Sequence, residues 1–220
     1  MSKISLKHSG GNVVSLNSPT SAPTSSDVAF KLPNQDGSAN EVLKTDGSGN
    51  LSFAADSGGK FESYAIISDT KASNVNGGTF SSGAWRTRDL NTENADPDNI
   101  VSISSNQFTL QAGSYLIKFQ STGYHVHRHI TRLRDITNSA TKGYGIMAYS
   151  NISNATSNIS PGIARVTISG ATVYEIQHAC QTDKTTNGMG SNTYINDSGS
   201  YTDNTDSNSI YTIVEIYKES

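Results

Sequence analysis

Hydrophobic and polar residues alternate along most of the chain after residue 60, which is the pattern of β-strands. Residues 209–218 read SIYTIVEIYK, in which Ile213, Glu215 and Tyr217 point one way and the residues between them point the other. No ten-residue stripe with helical spacing and capping residues occurs. The pattern predicts ten strands, at 61–68, 84–90, 99–104, 107–110, 114–124, 125–135, 143–150, 163–169, 172–182 and 209–218.

Turn residues separate these predicted strands. Gly, Asn and Asp fall between them, for example at 76–78, 169–170 and 187–188. Many short strands at a spacing of about 8–12 residues, with no helical pattern, are typical of a β-sandwich or jelly roll. We therefore expect an all-β protein in which residues 61–220 form a jelly-roll β-sandwich head domain.

Residues 1–60 have a different composition. They contain three of the five prolines, at 19, 23 and 33, and neither Trp nor Tyr. A segment so poor in large apolar residues is not expected to build a core of its own. Short alternating patches around 4–6 and 14–16 read as strands on either side of Gly10–Gly11. We expect residues 1–30 to form an extended arm that becomes ordered against a partner.

Residues 31–53 read KLPNQDGSANEVLKTDGSGNLSF, which places two short strand signals among turn signals. Asp36–Gly37 and Asp46–Gly47 are turn dipeptides. Two short strands by themselves are marginally stable in water. We expect residues 31–60 to form a trimeric β neck, because three copies around one axis would bury the apolar side chains. These are Val42, Leu43, Leu51 and Phe53.

Composition and charge narrow the class of protein. Only 34% of the residues are hydrophobic and 16% are charged, which suits a β protein that completes its core by oligomerising. The net charge of −3 gives no broad basic footprint, so nucleic acid is not an expected partner. The sequence contains no apolar run of about 18 residues, so membrane insertion is not expected. The N-terminal residues lack the apolar run of about 7–15 residues of a secretory signal, so we expect synthesis in a cytoplasm.

Three histidines form a candidate metal site. His125, His127 and His129 alternate with other residues, so they should share one face of a strand. Three copies could ring a metal ion on a symmetry axis. Neighbours in such a row lie about 6.5–7 Å apart, which fits a solvated or polar packed row equally well. Both interpretations stay open, and no other cofactor is expected.

Trp85, Arg86 and Arg88 lie on one predicted strand, with Trp85 on one face and the two arginines on the other. The arginines could meet a neighbouring subunit or an acidic ligand. Alternatively, Trp85 packs in the core and the arginines form salt bridges on the sheet surface. The single cysteine, Cys180, excludes an intrachain disulfide, and we expect it to be a small buried thiol.

Tyrosines near the predicted loops are candidates for contact with a glycan. Aromatic rings beside Asn, Asp and Ser suit sugars, because the ring stacks on C–H groups and amides bond hydroxyls. Ordinary packing within the sheet is the alternative. The candidates are Tyr144, Tyr149, Tyr194 and Tyr201. No P-loop, dinucleotide fingerprint or zinc-protease motif occurs, so no enzymatic activity is expected.

Several segments resemble a phage tail-fibre head domain, which is similar to the trimeric jelly roll of the tumour-necrosis-factor and complement families. They are GGTFSSGAWRTRDLNT at 77–92, NQFTLQAGSYLIKFQSTGY at 106–124, VHRHITRLRD at 126–135 and YEIQHAC at 174–180. Residues 31–53 separately resemble a neck module of marine-phage fibres. The resemblance implies a homotrimer. It places five residues at the trimer interface or in structural hydrogen bonds inside the trimer: Trp85, Arg86, Arg88, His129 and His178.

These observations predict a structural protein of a bacteriophage virion. In this interpretation the chain is a short trimeric tail fibre, anchored to other virion proteins through residues 1–30. Its head contacts the host surface, where a glycan is the expected ligand. A capsid decoration, cement or head-fibre protein that stabilises the particle is one alternative. An enzyme that degrades host polysaccharide is another.

Overall fold

The computed structural model describes residues 3–7, 9–11, 13–17, 20–21, 30–56, 60–154, 156–192 and 208–219. The chain divides into two compact units, Met1–Gly58 and Gly59–Ser220. Every regular element in the described residues is a β-strand. Accordingly, this part of the chain has no helix with the length and hydropathy of a membrane span.

The first unit contains two antiparallel hairpins. β1 (Lys3–Lys7) pairs with β2 (Val13–Asn17), and β3 (Glu41–Thr45) pairs with β4 (Leu51–Ala55). The predicted arm thus contains a hairpin, and the two strands expected in the neck are confirmed. In the turn between β3 and β4, the Asp46 carboxylate accepts the backbone N–H of Ser48 at 2.7 Å. None of residues 30–56 is buried.

The second unit is built from two antiparallel sheets. The smaller has the strand order β14-β10-β16-β5-β7. The larger has the order β12-β11-β15-β9-β8, with β13 added on β11 and β6 on β15. The strands are β5 (Phe61–Lys71), β6 (Arg86–Thr87), β7 (Thr92–Ala95), β8 (Val101–Ser104), β9 (Gln107–Leu110), β10 (Gly113–Tyr124), β11 (His127–Asp135), β12 (Ala140–Tyr144), β13 (Ala148–Ser150), β14 (Ser157–Ile168), β15 (Thr172–Cys180) and β16 (Ser209–Glu219).

The strand order is that of a jelly roll. The jelly-roll order is seen when the short strands β6, β7, β8 and β13 are set aside. The first strand of the unit, β5, then pairs with the last, β16. β10 lies between β16 and β14, and β15 lies between β9 and β11. The chain therefore crosses between the sheets as two Greek keys do, and the predicted all-β jelly-roll sandwich is confirmed.

The hydrophobic core fills the space between the two sheets. Strand alternation turns every second side chain inward, as expected of a sandwich. The smaller sheet contributes Ala65, Ile67, Tyr115, Ile117, Val214 and Ile216, and the larger sheet contributes Phe108, Leu110, Leu133, Tyr174 and Ile176.

Some predicted strand boundaries are wrong for identifiable reasons. The strand expected at 143–150 is split into β12 and β13, because Gly145 forms a bridge with Gly162 of β14 while its N–H still donates to the Thr131 carbonyl of β11. β14 begins at Ser157 and not at residue 163, because Pro161 does not end it. A proline is tolerated there because β14 is an edge strand, with one side free of ladder hydrogen bonds.

Candidate functional site

The outer face of the smaller sheet carries seven apolar side chains beside the polar residues Lys118, Gln120, Arg165 and Glu215, whereas the exposed face of an antiparallel sheet is ordinarily polar. Cross-strand register aligns Tyr64, Tyr217 and Leu116 in one row, and Ile163 lies on β14 in the next row. Ile163 is 57% exposed. We call this surface the apolar face; it comprises Tyr64, Ile66, Leu116, Pro161, Ile163, Ile213 and Tyr217.

A groove of about 350 Å³ runs along the β14 edge of the apolar face. Ile163 and Ile213 line it, together with Ile146 from the connection between β12 and β13. Lys118 and Glu215 form an ion pair of 3.6 Å at its side. The groove therefore combines apolar walls with one charged pair that can fix the orientation of an occupant.

The connection between β12 and β13 closes one edge of the sandwich. The Gly145 N–H donates to the Thr131 carbonyl at 2.9 Å, and the Ile146 N–H donates to the Pro161 carbonyl at 2.7 Å. These bonds join the larger sheet to β14 of the smaller one. They leave Ile146 at the groove rim, 69% exposed.

Sequence reasoning missed the apolar face, although a signal for it was present. In β16 the outward residues Ile213 and Tyr217 are as apolar as the inward residues Val214 and Ile216. Two large apolar residues on the outward face, on either side of Glu215, indicate that part of this face is covered by another surface.

Trp85 lies on the outer surface of the larger sheet and not in the core. It is half-buried, with the Arg132 guanidinium 4.0 Å from the centre of its ring. The Tyr144 ring lies 6.0 Å away. The Arg132 Nε–H donates to the Gln177 Oε1 at 2.7 Å. The predicted candidates Trp85 and Tyr144 are thus brought together around an arginine that the prediction did not include.

Arg88 is completely buried within one chain, with 0% exposure. Its guanidinium donates to the Thr212 hydroxyl at 2.8 Å, the Met189 carbonyl at 2.7 Å and the Tyr211 carbonyl at 3.1 Å. Burial lowers its pKa to about 10 while the negative charge of Asp69 opposes this, so the group stays charged at neutral pH. Arg88 therefore does not reach the surface, as a subunit interface or a surface salt bridge would require.

Arg86 is held by its own loop. It is half-buried, and its Nε–H donates to the Ser81 carbonyl at 3.0 Å. A second guanidinium nitrogen donates to the Ser82 carbonyl at 3.3 Å. The two arginines of the predicted strand thus have different environments, and neither forms a salt bridge within the described residues.

His129 and His178 form a buried pair. Their Nδ1 and Nε2 atoms, respectively, lie 3.0 Å apart. Burial lowers both pKa values, that of His129 to about 4, and the positive charge of Arg88 lowers them further. Both side chains are enclosed by a single chain. They therefore form a structural hydrogen bond inside the head and do not line its surface.

The three histidines of the proposed row do not share one face. His125 and His127 have positive φ angles of 59° and 60°, which interrupts the strand alternation. His125 contacts the Ile152 carbonyl, and His127 stacks on Tyr149 with 5.5 Å between ring centres. His129 points inward. No group of three or more candidate ligands for a metal ion occurs within the described residues.

The remaining candidates give no reactive group. Burial raises the pKa of the half-buried Cys180 thiol to about 11, opposite to the shift that activates a nucleophile. Its Sγ–H donates to the Thr182 carbonyl at 3.4 Å. Tyr149 is 49% exposed beside His127. Tyr194 and Tyr201 lie outside the described residues.

No family model matches the chain, and no curated protein matches it. Among solved structures, the PRD1 vertex protein P5 aligns over 74% of this chain and 100% of its own, with 10% identity and a TM-score of 0.45. The globular domain of zebrafish complement 1qA aligns over 70% and 94%, with 13% identity and a TM-score of 0.43. Murine APRIL aligns over 71% and 98%, with 7% identity and a TM-score of 0.42. The jelly-roll assignment therefore rests on the strand order described above.

Proposed function

We propose that the chain is a homotrimeric structural protein of a bacteriophage particle, a short tail fibre whose head contacts the host surface. Residues 1–30 attach it to other virion proteins and residues 31–60 form the trimeric neck. The apolar outer face of the smaller sheet is the observation that carries the proposal. The resemblance of residues 31–53 and of the head segments to phage fibres supports the virion assignment.

The apolar face supports assembly because exposed apolar area of this kind marks an interaction site. The groove lies at the β14 edge of the apolar face, whereas Tyr64 lies on β5 towards its other edge, so contact between these two regions joins unlike surfaces of two subunits. Such a heterologous contact closes into a ring when the rotation allows it. Three subunits is the number that the family resemblance implies.

The neck gives independent support for assembly. Val42, Leu43 and Phe53 are between 37% and 50% exposed within a single chain. A hairpin that leaves its apolar side chains in water is marginal alone. Three copies side by side would cover these side chains, as the sequence of residues 31–53 predicts.

Sedimentation of the full chain tests the interface. We expect a trimer for the natural sequence, and a monomer for Ile163→Glu at the same concentration. A buried charge without a partner should weaken association by about 30-fold or more, which corresponds to about 2 kcal/mol. Ser102→Glu is the matched control, because it adds the same charge at an exposed position of β8 in the other sheet. A trimeric Ile163→Glu protein with unchanged affinity would show that the apolar face is not the interface.

A cryo-EM map of the intact particle tests the virion role. Trimers at the tail or baseplate support the fibre proposal. Trimers distributed over the capsid lattice would instead identify a decoration protein. Absence of the chain from purified particles overturns a structural role, and release of oligosaccharide from host envelopes by the purified trimer would favour the enzyme alternative.

A further inference from the structure

One strand of the larger sheet presents a row of arginines to solvent. Along β11, His129, Thr131, Leu133 and Asp135 all point inward and are buried. The alternate residues Arg128, Ile130, Arg132 and Arg134 point outward, so Ile130 separates Arg128 from the other two arginines. Three of these four residues are arginines: Arg128, Arg132 and Arg134. We call these three the arginine row. Residues two apart on a strand are separated by about 6.5–7 Å.

The arginine row makes no ion pair with any described carboxylate. Arg128 donates to the Gln181 amide oxygen at 3.1 Å, and Arg132 donates to that of Gln177 at 2.7 Å. A neutral amide holds a guanidinium in place without cancelling its charge. The row is therefore partly ordered by hydrogen bonds while its positive charge stays largely uncompensated.

Glu175 is the one acidic residue opposite the row, in register with Arg134. Its Oε2 accepts from the Gln107 amide at 3.1 Å, and its Oε1 accepts from the Gln177 amide. Because both oxygens are engaged and the carboxylate is nearly buried, Glu175 orients Gln177 and through it Arg132. Three positive charges against one negative charge leave this face positive.

Aromatic rings adjoin the arginine row. The indole of Trp85 packs against the Arg132 guanidinium at 4.0 Å, which restricts its orientation. Tyr144 lies directly across from Arg132 on β12, is 59% exposed in the single chain and also lines the groove at the β14 edge. The surface thus places a fixed guanidinium beside an aromatic ring at the border of the groove.

We propose that this face binds an acidic polysaccharide, with the arginine row pairing with successive carboxylates and Tyr144 packing against a sugar ring. A guanidinium binds a carboxylate through two parallel hydrogen bonds, so it recognises the group as well as its charge. A polymer that carries a carboxylate on each repeat can engage Arg132 and Arg134 at successive outward positions and Arg128 further along the same strand. The exposed ring offers a flat surface to sugar C–H groups.

Nucleic acid is also a polyanion, and binding to an oligonucleotide is therefore one outcome of the test below. Because the chain has a net charge of −3 and a sequence pI of about 5.9, binding of any polyanion depends on this local cluster of arginines and not on the charge of the whole chain. The arginine row also lies on the sheet opposite to the apolar face. The inference rests on the proposed function, because it names the class of ligand that the head would contact on the host. Binding itself can be measured whether or not the protein belongs to a virion.

Binding of the full chain to polygalacturonate, measured by calorimetry, tests the inference. We expect binding that weakens with added salt, and none to neutral dextran. Arg132→Gln should weaken binding by about 10-fold or more, because it removes a bidentate charged contact. Arg132→Lys should recover only part of it, since lysine lacks the planar pair of donors. Lys31→Gln removes one charge from the exposed surface of the other unit and should leave affinity unchanged within about 2-fold.

Several outcomes would overturn the inference. These are no binding to polygalacturonate, equal binding to neutral dextran, equal loss from Lys31→Gln, and tighter binding to dextran sulfate or to an oligonucleotide. Loss of the trimer in Arg132→Gln would show that the arginine row meets a neighbouring subunit instead. A monomer that binds polygalacturonate would contradict the proposed assembly but not the inference. A particle-bound trimer that does not bind polygalacturonate would support the proposed assembly and contradict the inference.

Discussion

At the scale of single residues, the head is organised around buried polar groups. Arg88 links β10, β16 and the segment at Met189, because it donates to carbonyl or hydroxyl groups in all three. Removing one partner of such a network leaves the others buried without hydrogen bonds, which commonly costs several kcal/mol. Three residues that the sequence analysis predicted at the trimer interface or in structural hydrogen bonds therefore lie in the interior of one subunit. They are Arg88, His129 and His178.

The buried histidine pair predicts a pH-dependent stability. The pKa of His129 is about 4 in the folded chain, because burial and the charge of Arg88 oppose protonation, against 6.5 in an unperturbed histidine. The unfolded chain therefore binds more protons between these pH values, and the free energy of unfolding falls as the pH drops from about 6.5 towards 4. We expect His129 to account for a loss of about 2 kcal/mol between pH 7 and pH 5.

Urea unfolding of the natural chain and of His129→Gln at the two pH values measures this contribution. The variant lacks the titrating ring, so its stability should fall less between pH 7 and pH 5. Groups that do not contact His129 cancel in the difference, whereas the contribution of its hydrogen-bond partner His178 changes together with it. An identical decrease in the two proteins would contradict the assignment.

At the scale of elements, the two sheets meet along one edge where Gly145 and Gly162 face each other. A Cβ atom added to Gly162 would lie 2.3 Å from the Phe119 ring and 3.0 Å from the Gly145 backbone. Only glycine permits this approach without displacing the core or the connection between β12 and β13. The shape of the groove beside Ile163 therefore depends on these two residues.

Gly162→Ala should destabilise the head by about 1–3 kcal/mol, as overpacking commonly does. Gly170→Ala is the control, because a Cβ atom there meets no atom within 4 Å. It should change stability by less than about 0.5 kcal/mol. Denaturant unfolding of both variants provides the comparison, and equal effects would show that the contact with Phe119 is not limiting.

At the scale of the whole molecule, the two units differ in how they are stabilised. The hydrophobic core cluster lies entirely within residues 65–216, all in the second unit. Described residues 30–56 of the first unit include none that is buried. The second unit therefore has its own core, whereas in the proposed assembly residues 31–60 depend on contacts with other chains.

Separate production of the two units tests this difference. Residues 59–220 should unfold cooperatively and keep the β-sheet circular dichroism of the full chain, because their core is complete. Residues 1–58 alone should show the spectrum of an unfolded chain at low concentration. A cooperative unfolding transition in the isolated first unit would contradict the expectation, and so would an unfolded 59–220 fragment.

The sequence by itself determined the elements whose signals are local. Alternation predicted β9, β11 and β15 closely, and turn dipeptides placed the two neck strands, because both signals depend only on neighbouring residues. Tertiary structure decided which faces became interior and which stayed in water. The alternation of β11 could not show that His129 turns inward or that Arg132 keeps an uncompensated charge, since burial depends on strands distant in sequence. For the same reason, only the assembled sheets showed that Val214 and Ile216 of β16 lie in the core while Ile213 and Tyr217 stay on the outer face.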